Sequence, residues 1–140
     1  MIASEIMTAN PECCLPTDPV MKAAQIMKSE DVGPVPVVAD KEEKKLAGIV
    51  TDRDLAIKVV AEARDPKTTA VEEVMSEGLV TCRDNDDVRS VLQLMEDNQL
   101  RRIPVVDKHD CLRGIIAQAD VATRLNSARA AGKVVQQVSQ

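Results

Sequence analysis

Val35-Pro36-Val37-Val38 and Ile103-Pro104-Val105-Val106 are one four-residue phrase written twice, 68 residues apart. Towards the N-terminus the same offset lays Ile6-Met7 on Val74-Met75, Cys14 on Cys82, Asp18 on Asp86, Val20 on Val88 and Met27 on Met95. Towards the C-terminus a two-residue deletion shortens the offset to 66, and Leu46, Gly48, Ile49 and Asp54 fall on Leu112, Gly114, Ile115 and Asp120. So many landmarks in one order mark an internal duplication, and a duplication decides the fold before any single element does. The organisation expected is repeat 1 over 1–63, a polar linker over 64–70, repeat 2 over 71–125 and a helical tail over 126–140.

Each repeat carries the same coarse pattern. A short helical turn comes first; in repeat 2, Thr69 followed by Glu72 fits a capping box. A short strand is expected near Cys13–Leu15 and near Leu79–Cys82. An amphipathic helix follows. Thr17 or Asp18 is placed to cap it, Pro19 suits its first turn, and Val20, Ala23, Ala24 and Met27 make one apolar stripe. The matching stripe in repeat 2 is Val88, Val91, Leu92 and Met95. Two apolar runs then read as strands buried on both faces: Val35–Ala39 and Leu46–Thr51, and again Ile103–Asp107 and Leu112–Ala117. A second helix starts near Asp52 and near Gln118. The order is β-α-β-β-α, twice. One such unit buries too little surface to be comfortable alone, so the expected α+β fold packs two of them sheet to sheet about a pseudo-twofold axis.

Composition narrows the function. The 140 residues are 44% hydrophobic and contain no Phe, Tyr or Trp, so the core is aliphatic and no aromatic plate is available for a bound base. The net charge of −5 disfavours a general nucleic-acid binder, whose affinity comes from Lys and Arg neutralising phosphates. No apolar run is long enough to span a bilayer, and MIASEIMTANPECC lacks the pattern of a signal peptide, so a cytoplasmic protein is expected. Cys13, Cys14, Cys82 and Cys111 form no CxxC pair and are read as small buried hydrophobes. A zinc site matches no usual spacing, though Cys14 and Cys82 occupy equivalent positions and leave a redox role open.

The segment with most chemistry is Gly48-Ile49-Val50-Thr51-Asp52-Arg53-Asp54. A strand ends at Thr51 and a helix begins, and free backbone N–H groups with the positive end of the helix dipole favour an anion there. Thr51 can donate to a phosphate, and the Asp54 carboxylate can accept two hydrogen bonds from a vicinal diol such as a ribose. Thr-x-x-Asp is equally an ordinary N-terminal capping arrangement, and both readings stand. Arg101-Arg102, at the mouth of the Ile103-Pro104 strand, add planar guanidinium forks suited to phosphate.

The doubled pattern resembles the CBS domain family. Gly48–Asp54 and Leu100-Arg101-Arg102-Ile103-Pro104-Val105-Val106 carry the resemblance. Val35–Val38 and Gly114-Ile115-Ile116-Ala117-Gln118-Ala119-Asp120 are their weaker copies. The match runs from about Ser4 to Leu125 and implies a stand-alone tandem pair, a Bateman module, that senses an adenine nucleotide (AMP, ADP or ATP), with S-adenosylmethionine the lesser candidate and no covalent cofactor. The resemblance implies that Ile49, Val50, Thr51 and Asp54 work with Val80, Thr81, Cys82, Arg101, Arg102, Ile103 and Pro104: Asp54 on ribose, Thr51 and the arginines on phosphate, the aliphatic residues about the adenine. It also implies a weaker second site from Cys13, Cys14, Val35, Pro36 and Asp120. There Ala117 replaces the hydroxyl residue and Gly33-Pro34 the arginine pair, so one AMP per chain is expected. Homodimers, and a protein effector that responds to them, are further implications.

The alternative is a structural dimerisation or partner-docking module without ligand, with Ala128–Val138 as a docking helix. No nucleophile and base are arranged together, so no enzyme is expected. His109 and Lys41-Glu42-Glu43-Lys44-Lys45 read as solvated turns.

Overall fold

The structure, a computed structural model, describes residues 1–130. Gly132 and most of the docking helix expected over Ala128–Val138 lie outside the described residues. In chain order the elements are α1 (Ala3–Ile6), β1 (Thr8–Ala9), α2 (Val20–Glu30), β2 (Pro34–Val38), β3 (Leu46–Thr51), α3 (Asp52–Leu55, continued as a π-helical turn over Ala56–Val60), a 3-10 turn (Val71–Glu73), β4 (Cys82–Arg83), α4 (Val88–Asp97), β5 (Arg102–Val106), β6 (Leu112–Ala117) and α5 (Gln118–Ala130).

The chain forms two folded units, and neither is one sequence repeat. The first takes Met1–Ala9, Val80–Val105 and the described residues from Arg113 on; the second takes Asn10–Leu79 with Val106–Leu112. The leader of each repeat has therefore folded with the body of the other.

In the second unit, β2 and β3 pair antiparallel, Val35 opposite Val50 and Pro36 opposite Ile49. Cys14 lies parallel to Val37 on the far side of β2, with Cys14 N donating to Pro36 O (3.0 Å) and Val38 N to Cys14 O (2.9 Å). The leader of repeat 2 closes the sheet on the β3 side. Ile49 and Ser76 exchange both backbone hydrogen bonds, at 3.0 and 2.8 Å, while Val71 N donates to Asp18 O (2.8 Å) and Val20 N to Thr69 O (2.9 Å). Val20, Ala23, Val35, Val37, Val50, Val71 and Val74 share this core.

The first unit repeats the plan around a sheet of order β1-β6-β5-β4. Thr8 of the repeat 1 leader pairs with Ile115. Ala3 N donates to Asp86 O (2.8 Å) and Val88 N to Met1 O (2.9 Å), counterparts of the Val71 and Val20 bonds. Ala3, Ile6, Val88, Val91, Met95, Ile103, Val105 and Ile116 fill its core. Two glycines make room for the leaders. A Cβ on Gly48 would lie 2.8 Å from Met75 Sδ and from Ser76 O, and one on Gly114 would lie 2.6 Å from Thr8 O and 2.7 Å from Met7 Sδ.

The elements follow the expected order with local differences. The strand expected over Leu79–Cys82 is displaced to Cys82–Arg83, and the one near Cys13–Leu15 is reduced to the Cys14 bridge. Neither Thr17 nor Asp18 caps α2: Pro19 sits at the cap without a side-chain bond, because Asp18 Oδ2 accepts from Leu15 N (2.8 Å) in the turn before it. The capping box expected from Thr69 and Glu72 is shifted by one residue, with Glu73 Oε2 accepting from Ala70 N (2.7 Å) while the buried Thr69 hydroxyl donates to Asp65 O (2.8 Å). Burial on both faces holds for β2 and β5 beyond their first residues. β3 and β6 instead alternate, leaving Ile49 half-buried and Arg113 exposed.

Candidate functional site

The β3–α3 junction gathers the first group of expected site residues within the second unit. Val50 ends the buried part of β3; Ile49, Thr51 and Asp54 are half-buried. Thr51 has extended backbone at the start of α3, and its side chain and that of Asp54 satisfy each other's backbone. Asp54 N donates to Thr51 Oγ1 (3.1 Å), and Thr51 N donates to Asp54 Oδ2 (2.9 Å). This is a full capping box, so the local reading of Thr-x-x-Asp is realised in the geometry. It leaves chemistry over. The Thr51 hydroxyl accepts one bond and keeps its own proton to donate, and a carboxylate offers about four acceptor positions, of which Thr51 N takes one.

The other carboxylate oxygen, Asp54 Oδ1, lies 3.2 Å from Lys58 Nζ. Lys58 Nζ also donates to Val74 O (2.9 Å). Sequence reasoning missed Lys58, although its spacing of four from Asp54 on a helix was the signal.

The second group sits in the first unit. Arg101 and Arg102 are exposed, Arg102 opening β5, and Ile103 and Pro104 behind them are buried. Arg101 O accepts from Gln118 N (2.8 Å), which holds the start of β5 against the start of α5. The equivalent bond in the other unit runs from Asp52 N to Gly33 O (3.1 Å). Val80 and Thr81 are half-buried and Cys82 is buried. Of the residues expected about a weaker site, Asp120 is exposed near the start of α5, whereas Cys13, Cys14, Val35 and Pro36 are buried.

The four cysteines are free thiols. Burial pushes the Cys14 thiol up to about 11, with Asp18 adding to the effect, and the Cys82 thiol up to about 12, with Asp86 adding. Neither is a thiolate near neutrality, so neither is primed as a nucleophile. Among the described residues no group of three or more His, Cys, Asp or Glu is placed to hold a metal ion, and no helix is long and apolar enough to cross a membrane. His109 is exposed in its turn. Lys41 is more than a solvated turn residue, since its Nζ donates to Cys13 O (2.7 Å).

The CBS domain family model matches residues 3–61 and 71–127. The chain belongs to the CBS domain family. It is a tandem CBS pair. It is 38% identical over 135 residues to the CBS domain-containing protein YhcV of Bacillus subtilis, covering 96% of this chain and 93% of that protein. The crystal structure of Hypoxic Response Protein I, solved with two coordinated zinc ions, superposes with a TM-score of 0.78 at 34% identity, covering 88% of this chain and 98% of the other. The CBS domain pair of protein MJ0100, solved with 5′-methylthioadenosine and S-adenosyl-L-methionine, gives a TM-score of 0.76 at 25% identity, covering 91% and 97%.

Proposed function

We propose that this CBS pair is a regulatory module that binds an adenosine ligand, an adenine nucleotide in the first instance, and is not an enzyme. The observation that carries the reading is the Thr51–Asp54 junction. A reciprocal cap fixes both side chains while leaving a hydroxyl proton and several carboxylate acceptor positions free. Asp54 takes the ribose hydroxyls. Thr51 and the exposed Arg101 and Arg102 take phosphate. The half-buried Ile49, Val80 and Thr81 offer side chains to the base, whereas Val50, Cys82, Ile103 and Pro104, whose side chains are buried, offer backbone.

The MJ0100 pair holds adenosyl ligands, which supports the ligand class. The arginine pair favours a phosphorylated member of that class over S-adenosylmethionine. The weaker site of Cys13, Cys14, Val35, Pro36 and Asp120 lacks the hydroxyl and the arginines, so one nucleotide binds per chain. Binding shifts a conformational equilibrium that a protein effector responds to, and the working form is a homodimer in the cytoplasm.

A second reading, a structural dimerisation or docking module, is favoured by one observation. The capping box alone accounts for Thr51 and Asp54 without a ligand.

The experiment is the absorption spectrum of the denatured, filtered supernatant of the purified protein. With no Trp or Tyr the chain itself contributes almost nothing. A nucleobase band that passes the filter and gives an adenosine-containing mass supports the sensor reading. A different co-purified nucleobase overturns the adenine assignment.

A further inference from the structure

We infer that Lys58 is a positioning residue for the ligand-binding carboxylate, tying Asp54 to the leader of repeat 2; the inference rests on the role proposed above for Asp54.

Three facts carry it. Lys58 Nζ sits 3.2 Å from Asp54 Oδ1 and at the same time donates to Val74 O at 2.9 Å. The other carboxylate oxygen is held by Thr51 N at 2.9 Å, so the carboxylate is fixed at both ends, by the start of its own helix and by a lysine one turn later. The third fact is the identity of the carbonyl. Val74 belongs to the leader that has crossed from repeat 2, two residues before Ser76 pairs with Ile49 of β3. Lys58 therefore bonds the carboxylate proposed for ribose to a segment on which its own sheet depends.

The duplicated copy shows the same device in part. Arg124, which the 66-residue offset aligns with Lys58, donates to Glu5 O (3.2 Å) of the leader that crossed the other way. A basic side chain in this place thus grips the leader in both units. In the second unit its ion-pair partner is the carboxylate that the proposed function uses.

The Lys58 side chain is 44% exposed and that of Asp54 15%, so the pair is partly screened and its effect on affinity is moderate. Lys58 acts through Asp54, which contacts ribose, and so serves adenosine and AMP alike. A lysine that contacted phosphate itself would serve AMP alone.

The test compares wild type, Lys58→Met and Lys58→Arg by calorimetric titration with adenosine and with AMP, and by amide hydrogen exchange at Thr51 and Ser76. The expected result is that Lys58→Met weakens both ligands by the same factor, about three- to fivefold. It also speeds exchange at Thr51 and Ser76, and Lys58→Arg recovers most of both effects. Loss confined to AMP overturns the inference, because Lys58 would then be a phosphate contact. Unchanged affinities with unchanged exchange overturn it as well. If wild type binds neither ligand, the reading of the site has failed and the inference falls with it; faster Thr51 exchange in Lys58→Met then reports a structural tie alone.

Discussion

Gly48 and Gly114 show how much a single residue type can report. Both were visible as matched landmarks of the duplication, but their reason lies in the crossing leaders. Each glycine faces a backbone carbonyl and a methionine side chain at distances that no Cβ tolerates. Methionine can shift; the carbonyls of Ser76 and Thr8 are held in strand pairing. Gly48→Ala and Gly114→Ala are expected to destabilise by about 1–3 kcal/mol each, the usual cost of overpacking a close contact, read as the midpoint shift in urea unfolding followed by far-ultraviolet circular dichroism. Midpoints equal to wild type would show that the leaders do not press on these positions. Thr51 and Asp54 are the complementary case. The sequence left capping and ligand binding open, and the geometry realises the cap while the Thr51 hydroxyl keeps a proton to donate. Lys58 was overlooked because nothing in its own residue type distinguishes it from a solvated lysine. Its meaning comes from Val74 O, a partner sixteen residues away.

At the scale of elements, the strands were the most legible feature. β3 and β6 begin and end where expected, since a mainly apolar run bounded by charged turns leaves little freedom. The caps were less legible. Asp18 looks like a helix cap, yet it and its counterpart Asp86 each accept from the backbone three residues earlier, Asp18 from Leu15 N and Asp86 from Arg83 N, both at 2.8 Å. An aspartate near a helix start serves a turn or a cap with the same chemistry, and only the backbone path chooses. In repeat 2 the choice is explicit, because Asp87 caps α4 by accepting from Arg89 N (2.8 Å). The crossing of the leaders could not be read at all. The two leaders share one pattern, so each fits either body, and an alignment of the repeats is the same whether they cross or not. Core mutations settle it. Ile6→Ala removes a buried side chain from the core around Ile103 and Val105, and Val74→Ala one from the core around Val35 and Val50. In amide hydrogen exchange, Ile6→Ala is expected to weaken protection of Val105 more than that of Val37, and Val74→Ala the reverse, each at a cost of about 1–4 kcal/mol. Effects confined to each residue's own repeat would contradict the crossed arrangement.

For the molecule as a whole, the duplication and the family agree on a tandem CBS pair, and the chemistry divides unevenly between its copies. The proposed site takes Thr51 and Asp54 from repeat 1 and Arg101 and Arg102 from repeat 2; the corresponding positions in the other copy hold Ala117, Gly33 and Pro34, and only the aspartate is kept, as Asp120. That asymmetry is the basis for expecting one nucleotide per chain. The buried Cys14 and Cys82 thiols, pushed up to about 11 and about 12, are not primed as nucleophiles. The central claim is that this pair binds an adenine nucleotide through Asp54, and calorimetric titration of AMP into wild type and Asp54→Ala tests it most directly. Wild type is expected to bind one AMP per chain, with the Asp54→Ala variant losing at least about tenfold in affinity while keeping its circular dichroism spectrum. Failure of wild type to bind AMP, or binding of AMP by Asp54→Ala with the affinity of wild type, would contradict the account.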